Sequence, residues 1–400
     1  MVFGWRFAVR FPMFLNSMSS AKKIRQFFRW LRARRFLYQQ IVEIRIYKKA
    51  LLHNVHAFQN SFSQLAIAPV LKSNAYGHGL RVVAQALDKE AIPFICVDSF
   101  FEALILRNEH ITKPILILGY TPLENIAHCK LHNIYFSILS LEELKKISQN
   151  LTKPTKFHLK INTGMNRHGL GVTEAEEAWQ IFNEHTNLVL DGVYTHLADA
   201  DTIGSVSAKK QIDSWNKIAQ KVRSILPNVK HLHCAATAGT FYSNEIDANV
   251  MRLGLGLYGI NAGLTTITLE PALELVTKIT TLRQINVGES VGYNATFSAQ
   301  NSMKIATIPL GYTEGVDRRL SNRGAVEIRG KLCPIIGRVS MNIVSVDVSD
   351  LATVELEDQV IVISNKRGAP HSVEAIAKTC STIPYEILVH ISPQLRRKLV

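Results

Sequence analysis

The sequence predicts an α/β chain: a (β/α)8, TIM-like barrel followed by a mostly-β C-terminal domain. Three observations predict it. Eight short apolar runs recur between Leu65 and Tyr258 with helical patterns between them. Alternating β and α units imply parallel strands, and eight of them close a barrel. After Asn261 the texture changes to alternating, β-branched segments punctuated by glycines, as in a separate β domain. Finally, the first apolar run, in LAIAPVLKSNAYGHG at 65–79, leads straight into Lys72 and a polar, Gly-containing turn. An amine there stands where a strand leaves the core, and burial makes an amine nucleophilic.

The expected barrel strands are Leu65–Leu71, Pro93–Val97, Ile115–Leu118, Tyr135–Leu139, Phe157–Ile161, Leu188–Tyr194, Val229–Cys234 and Arg252–Tyr258. Between them lie helix candidates Gly79–Asp88, Phe100–Glu109, Leu141–Gln149, Thr173–His185 and Ala208–Ile225. Thr173, with Glu176 three residues on, has the pattern of a capping box. No helix follows the eighth run; Lys48–Phe62, helical in pattern, would close the ring from the N-terminal side. The barrel is expected over 41–261 and the β domain over 262–400, with strands in Leu275–Ile285, Ser302–Ile308, Ala325–Ile328, Leu332–Val348 and Gln359–Ile363 and one helix near Val373–Ser381. Ile41–Ile46 also alternates and would pair with the β domain.

Composition, 47% hydrophobic and 20% charged over 400 residues, suits a globular chain with sizeable cores. The net charge of +14 is uneven: residues 1–40 hold nine basic residues and no acidic one, so the remaining 360 carry +5. The basic balance therefore belongs to the leader and does not argue for nucleic acid as a partner of the folded body. The leader, mixing arginines with Phe and Trp, suits membrane contact or a transit segment. The alternatives are disorder, or a start codon assigned too early with Met18 as the true start. No apolar run reaches membrane-spanning length. Cys96, Cys129, Cys234, Cys333 and Cys380 show no CxxC spacing and read as free thiols of a reducing compartment.

Chemistry in such a barrel collects at the C-terminal ends of its strands. There the sequence places Lys72, Lys160 with NTGMNR at 162–167, His196, His233 with Thr237, and Arg252–Gly256. This is a cationic, imidazole-rich rim with few carboxylates, suited to an anionic cofactor and a carboxylate substrate; the paired carboxylates of a glycosidase are not evident. Taken singly, these residues have plainer readings. Lys72 could snorkel from a strand end, Lys160 could pair with an acid, and Tyr293 could be a packed aromatic. His231 and His233 alternate as a metal pair would, but no carboxylate completes the site.

Taken as an ordered set, the motifs carry a resemblance. APVLKSNAYGHG (68–79), LKINTGMNRHG (159–169), YTHLADAD (194–201), MRLGLGLYG (251–259), VGYNATF (291–297), LGYTEGVDRRL (310–320) and GRVSMN (337–342) resemble the alanine racemases, fold-type III enzymes dependent on pyridoxal 5'-phosphate (PLP). The resemblance covers about 41–400. It implies that Lys72 holds the cofactor as an aldimine and acts as one acid/base, with Tyr293 from the partner subunit as the other. Tyr76, Thr237, Tyr385 and the amides of Gly254 and Leu255 would hold the phosphate. Arg252 would face the pyridine nitrogen and leave it unprotonated. His196 and His233 would support Tyr293 and Arg252. Arg167 would reach the phenol and the substrate carboxylate, oriented by Lys160, which matches a lysine carbamylated in many members. Asp201, Tyr312, Arg318 and Arg338 match the substrate's access corridor, and Met341 the dimer-side wall. Asn342 stands where the family usually has Asp, which would alter charge at the pocket mouth, and Thr237 replaces the usual Ser.

The resemblance thus implies a cytoplasmic homodimer with shared active sites that interconverts L- and D-alanine for peptidoglycan of the cell wall. Racemisation needs proton removal on one face of a planar carbanion and delivery on the other, hence two groups. The alternatives are a racemase of broader range, a fold-type III decarboxylase (which would place a carboxylate where Arg252 stands), a PLP carrier without turnover, and a barrel metallohydrolase using His231 and His233.

Overall fold

The structure, a computed structural model, describes residues 39–261 and 267–400. The expectations for the leader fall almost wholly outside the described residues. The described chain begins with β1 (Glu43–Ile46), whose alternation buries Ile44 and Ile46, and helix α1 (Lys48–Ser61). Eight parallel strands follow: β2 (Ala66–Pro69), β3 (Ile95–Val97), β4 (Ile115–Ile117), β5 (Ile134–Ile138), β6 (Thr155–Lys160), β7 (Leu188–Tyr194), β8 (His231–His233) and β9 (Val250–Leu253). Their order is β2-β9-β8-β7-β6-β5-β4-β3. A parallel bridge between Val70 and Cys96, with the Leu71 amide donating to the Cys96 carbonyl at 2.7 Å, brings β2 back to β3 and closes the ring. β3, β4 and β5 are buried throughout because side chains fill the interior and helices cover the outside.

The helices are α2 (Leu80–Leu87), α3 (Phe100–Asn108), α4 (Leu123–Ala127), α5 (Leu141–Asn150), α6 (Val172–Glu184) and α7 (Val206–Ile225). In α2 Leu80, Val83, Ala84 and Leu87 are buried, one helical stripe. Ser99, Ser140 and Ser205 cap α3, α5 and α7 by accepting the amides of Glu102, Glu143 and Ala208. α4 was not expected; at five residues it is too short to show periodicity. The capping box expected at Thr173 and Glu176 does not form; two residues earlier Glu174 Oε2 accepts the Gly171 amide at 2.6 Å, one half of such a box, because the chain already turns at Gly171, which has no side chain to return the bond.

The eighth run, expected as a strand over Arg252–Tyr258, is a strand only to Leu253. Beyond Gly254 the chain turns through a 3₁₀ segment, Leu255–Tyr258. The cause is α1, packed beneath it: a Cβ on Gly256 would lie 2.8 Å from the Phe58 ring, and Asn54 Nδ2 donates to the Leu257 carbonyl.

In the second domain, the expected strand Leu275–Ile285 is two, β10 (Leu273–Lys278) and β11 (Thr281–Ile285), interrupted at Ile279–Thr280. β12 (Met303–Ile308) and β13 (Ala325–Ile328) follow. Leu332–Val348 also divides, into β14 (Lys331–Ile336) and β15 (Val344–Asp347), freeing a loop with Arg338 and Met341. β16 (Gln359–Ile363), α8 (Val373–Thr379), α9 (Pro384–Val389) and β17 (Arg397–Leu399) complete it; α9 and β17 were not expected. The sheet runs β11-β12-β15-β14-β13-β16-β10-β1-β17. β1 lies between β10, antiparallel (Ile44↔Leu275), and β17, parallel (Ile44↔Arg397). No helix among the described residues is long and apolar enough to cross a membrane.

Candidate active site

Lys72 follows β2 by three residues and opens an unusual turn. Ser73, Asn74, Ala75, Tyr76 and Gly77 have φ of 55°, 55°, 54°, 50° and 79°, a left-handed coil of backbone. Each non-glycine residue so placed costs about 1–2 kcal/mol, so the surroundings must impose it. They do. Glu102 Oε1 accepts the Asn74 amide at 3.2 Å and its Oε2 the Asp98 amide at 2.8 Å. Asn74 Oδ1 accepts the Leu80 amide, His78 Nδ1 meets the Tyr76 carbonyl, and Arg397 donates twice to the Gly77 carbonyl. Gly77 is required: a Cβ there would run into the Leu388 carbonyl.

Next to β2, strand β9 delivers Arg252, 4% exposed. Its Nη1 donates to His233 Nδ1 (2.7 Å) and the His233 carbonyl (3.0 Å); its Nη2 donates to the carbonyls of Thr195 (2.8 Å) and Cys234 (3.0 Å) and to His196 Nδ1 (3.1 Å). A guanidinium only donates, so Nδ1 of both imidazoles must be bare. His233 then carries its proton on Nε2 and donates to His158 Nδ1 at 2.9 Å, and His158 carries its own on Nε2, buried without a partner. Burial and the Arg252 charge hold His233 and His158 well below the ordinary imidazole range and push His196 down to about 3. The chain Arg252–His233–His158 is therefore neutral imidazole behind one fixed cation. His158 was missed in the sequence, although it alternates with Lys160 on β6 and so shares its inward face.

Lys160, 7% exposed, lies 5.7 Å over the Tyr194 ring. Burial and the charges of Arg167, Arg252 and Lys72 lower its amine to about 8. Among the described residues no carboxylate forms an ion pair with it.

Beyond the strand ends lies a cradle. An added Cβ on Gly254 would sit 3.2 Å from Tyr76 Oη and 3.9 Å from Thr237 Oγ1, and Thr237 Oγ1 accepts the Gly256 amide at 3.2 Å. Leu255 opens the 3₁₀ segment beside it. The Tyr76 ring lies 5.1 Å from that of Tyr258 and 5.8 Å from that of Tyr385 on α9. Burial raises the Tyr76 phenol, so it enters as a neutral donor. Asp201 is close enough to Tyr385 to help raise that phenol too. Two buried hydroxyls, a glycine and an adjoining lysine fit a phosphate-bearing aldehyde such as PLP.

Tyr293, Tyr312, Arg318, Arg338 and Met341 do not join this group within one chain. They gather on the β domain. A Cβ on Gly292 would touch the Arg338 amide at 3.4 Å, the Tyr312 amide donates to the Ser340 carbonyl, and Ser321, beside Arg318, accepts the Val339 amide. Tyr293 is 70% exposed and Met341 57%. No hydrogen bond or ring contact joins Tyr293 to the barrel mouth among the described residues. Asn342 Nδ2 donates to Glu314 Oε1 at 2.8 Å. His231 faces Asp191 at 3.5 Å, and both nitrogens of His233 are engaged as described; no group of three His, Cys, Asp or Glu side chains is placed to hold a metal among the described residues.

Two family profiles match the chain, "Alanine racemase, N-terminal domain" over residues 46–262 and "Alanine racemase, C-terminal domain" over 272–399. "Alanine racemase 2" of Caldanaerobacter subterraneus subsp. tengcongensis is 32% identical over 358 residues, covering 87% of this chain and 92% of the relative. The solved alanine racemase from Bacillus anthracis with bound L-Ala-P superposes with a TM-score of 0.83 at 28% identity, covering 91% and 96% of the two chains. That of Bartonella henselae, with covalently bound pyridoxal phosphate, does so at 0.79 and 25%, covering 90% and 100%. On its profiles, its relatives and its fold, this chain belongs to the alanine racemase family, whose members depend on PLP.

Proposed function

We propose that this chain is a PLP-dependent isomerase that interconverts L- and D-alanine as a homodimer with shared active sites. The observation that carries the reading is Arg252, a buried guanidinium fixed by five hydrogen bonds at the mouth, where a decarboxylase would need a carboxylate. Lys72 would hold PLP covalently, and Tyr76, Thr237, Tyr385 and the amides of Gly254 and Leu255 would take its phosphate. Bound there, the cofactor supplies an electron sink for the pair left at Cα.

The residues then divide the work. Lys72 Nζ exchanges a proton with one face of Cα. Tyr293 of the partner subunit serves the other, which suits a phenol that is exposed and makes no hydrogen bond or ring contact with its own barrel mouth among the described residues. Arg252 would face the pyridine nitrogen and keep a proton off it, because a guanidinium has none to give up. Arg167 orients the substrate carboxylate. Lys160, whose amine titrates near 8, is neutral often enough to take up carbon dioxide, and the resulting carbamate would hold Arg167. Met341 would wall the substrate from the dimer side; Asp201, Tyr312, Arg318 and Arg338 would line its approach. Five free cysteines, four of them buried, support a reducing, cytoplasmic setting, and D-alanine for peptidoglycan is the use that setting suggests.

The test is incubation of purified protein and PLP with each alanine enantiomer in D2O. The expected result is formation of the opposite enantiomer from both, with deuterium at Cα. Release of carbon dioxide would favour a decarboxylase. Absence of the opposite enantiomer in either direction would reject the reading.

A further inference from the structure

Arg397, on β17, is a half-buried guanidinium that pairs with no carboxylate among the described residues. Its Nε and Nη2 donate to the Gly77 carbonyl at 3.1 and 2.9 Å. Its Nη1 donates to the carbonyls of Ser392 (2.6 Å) and Leu395 (2.7 Å), and Nη2 also to that of Ile391 (3.2 Å). These bonds join two pieces far apart in sequence. One is the left-handed turn bearing Lys72 and Tyr76. The other is the segment that leaves α9, the helix bearing Tyr385. The two already touch, with the Tyr76 and Tyr385 rings 5.8 Å apart and Gly77 packed against the Leu388 carbonyl.

We propose that Arg397 is a positioning residue for the phosphate of the cofactor: its fork ties the end of the left-handed turn to the end of α9 and so sets the gap between Tyr76 and Tyr385. Three features support this. The turn is backbone that local preference opposes, so an external tie must hold its exit. All four acceptors are carbonyls, which a planar fork can address together and a point-charge lysine cannot. And a Cβ on Gly79 would lie 3.1 Å from Arg397 Cγ, so the stem also packs directly on the turn. The inference rests on the proposed PLP site.

The experiment titrates cofactor-free protein with PLP, read by visible absorbance, alongside thermal unfolding. Arg397→Lys should weaken PLP binding tenfold or more, with kcat at saturating PLP falling less than affinity. Its melting temperature should move no further than that of Arg329→Lys, which alters an exposed ion pair with Asp358. Unchanged affinity, or a loss explained by lowered stability alone, would overturn the proposal. Tyr385→Phe combined with Arg397→Lys should weaken binding by less than the product of the single effects, since both act on one gap; simple multiplication counts against it. If the variant does not fold, hydrogen exchange on the unaltered protein decides. PLP should slow exchange in peptides spanning 73–80 and 391–400 together, and slowing in the first alone refutes the tie. Failure of the unaltered protein to bind PLP would instead reject the proposed function.

Discussion

Replacing Lys160 with Met tests the electrostatics of the barrel mouth directly. Burial among Arg167, Arg252 and Lys72 brings the Lys160 amine from 10.5 to about 8. At about 1.4 kcal/mol per unit, the ammonium costs the fold roughly 3 kcal/mol. Solvent entering the mouth screens part of this, leaving about 1–3 kcal/mol. The penalty is whole below pH 8, where the amine is protonated folded and unfolded alike. It fades as pH rises from 8 to 10.5, where only the unfolded chain keeps the proton. Over the roughly 360 residues of Val42–Val400, an unfolding entropy of about 2.1 cal/mol/K per residue turns 1–3 kcal/mol into about 1–4 °C. Cofactor-free Lys160→Met should therefore melt about 1–4 °C above the parent at pH 7 in carbon dioxide-free buffer, and the gap should close toward pH 10.5. Bicarbonate should raise the melting temperature of the parent alone, because a carbamate replaces one cation among three others by an anion. Differential scanning calorimetry reads both effects. A variant that melts below the parent without carbon dioxide would refute the charge argument, and a parent indifferent to bicarbonate would refute the carbamate.

Other perturbations discriminate further. Tyr293→Phe should bind PLP normally but slow racemisation about 10²–10⁴-fold; verified heterodimers with Lys72→Ala should regain activity, and none regained would place both groups on one chain. Gly77→Ala, which forces a Cβ against the Leu388 carbonyl at φ +79°, should destabilise the fold by about 2–4 kcal/mol in urea titration. Normal stability would show that the turn can yield. Asn342→Asp sets a second carboxylate against Glu314, raising the pKa of one of the pair. Its stability relative to the parent should drop by about 1 kcal/mol as pH rises from 4 to 7, and a flat profile would show the two side chains swinging apart.

What the sequence made legible was whatever periodicity or strand-end position encodes. The eight barrel strands are visible because buried parallel strands are continuous apolar runs, and Lys72, Lys160, His196 and Arg252 because they punctuate those runs. Less legible was anything decided at a distance. Arg252–Tyr258 looks like one strand until Phe58 of α1 bends it at Gly254. Leu332–Val348 alternates throughout, yet the pairing of β14 with β13 and β15 opens a loop in it. Arg397 resembles any basic residue near a run of others; only the carbonyls assembled around it distinguish it. The left-handed turn was invisible because Ser73, Asn74 and Ala75 have no intrinsic need for φ near 55°. Glu102 and Arg397 impose it from outside.

The placement of β1 bears on how the molecule is made. On the ribosome β1 emerges before the barrel, but both of its neighbours, β10 and β17, emerge only after the whole barrel has been synthesised. Until then Ile44 and Ile46, fully buried in the finished sheet, have no sheet to enter. The unpaired edge is open to wrong partners, including the same strand of another nascent chain. The barrel can collapse in the meantime, yet α1, which supports the 3₁₀ segment beside Gly254, is tethered directly to that waiting strand. Completion of the cofactor mouth is thereby coupled to the synthesis of β17, so a chain stalled before β17 would hold its lysine, Lys72, in an unfinished setting.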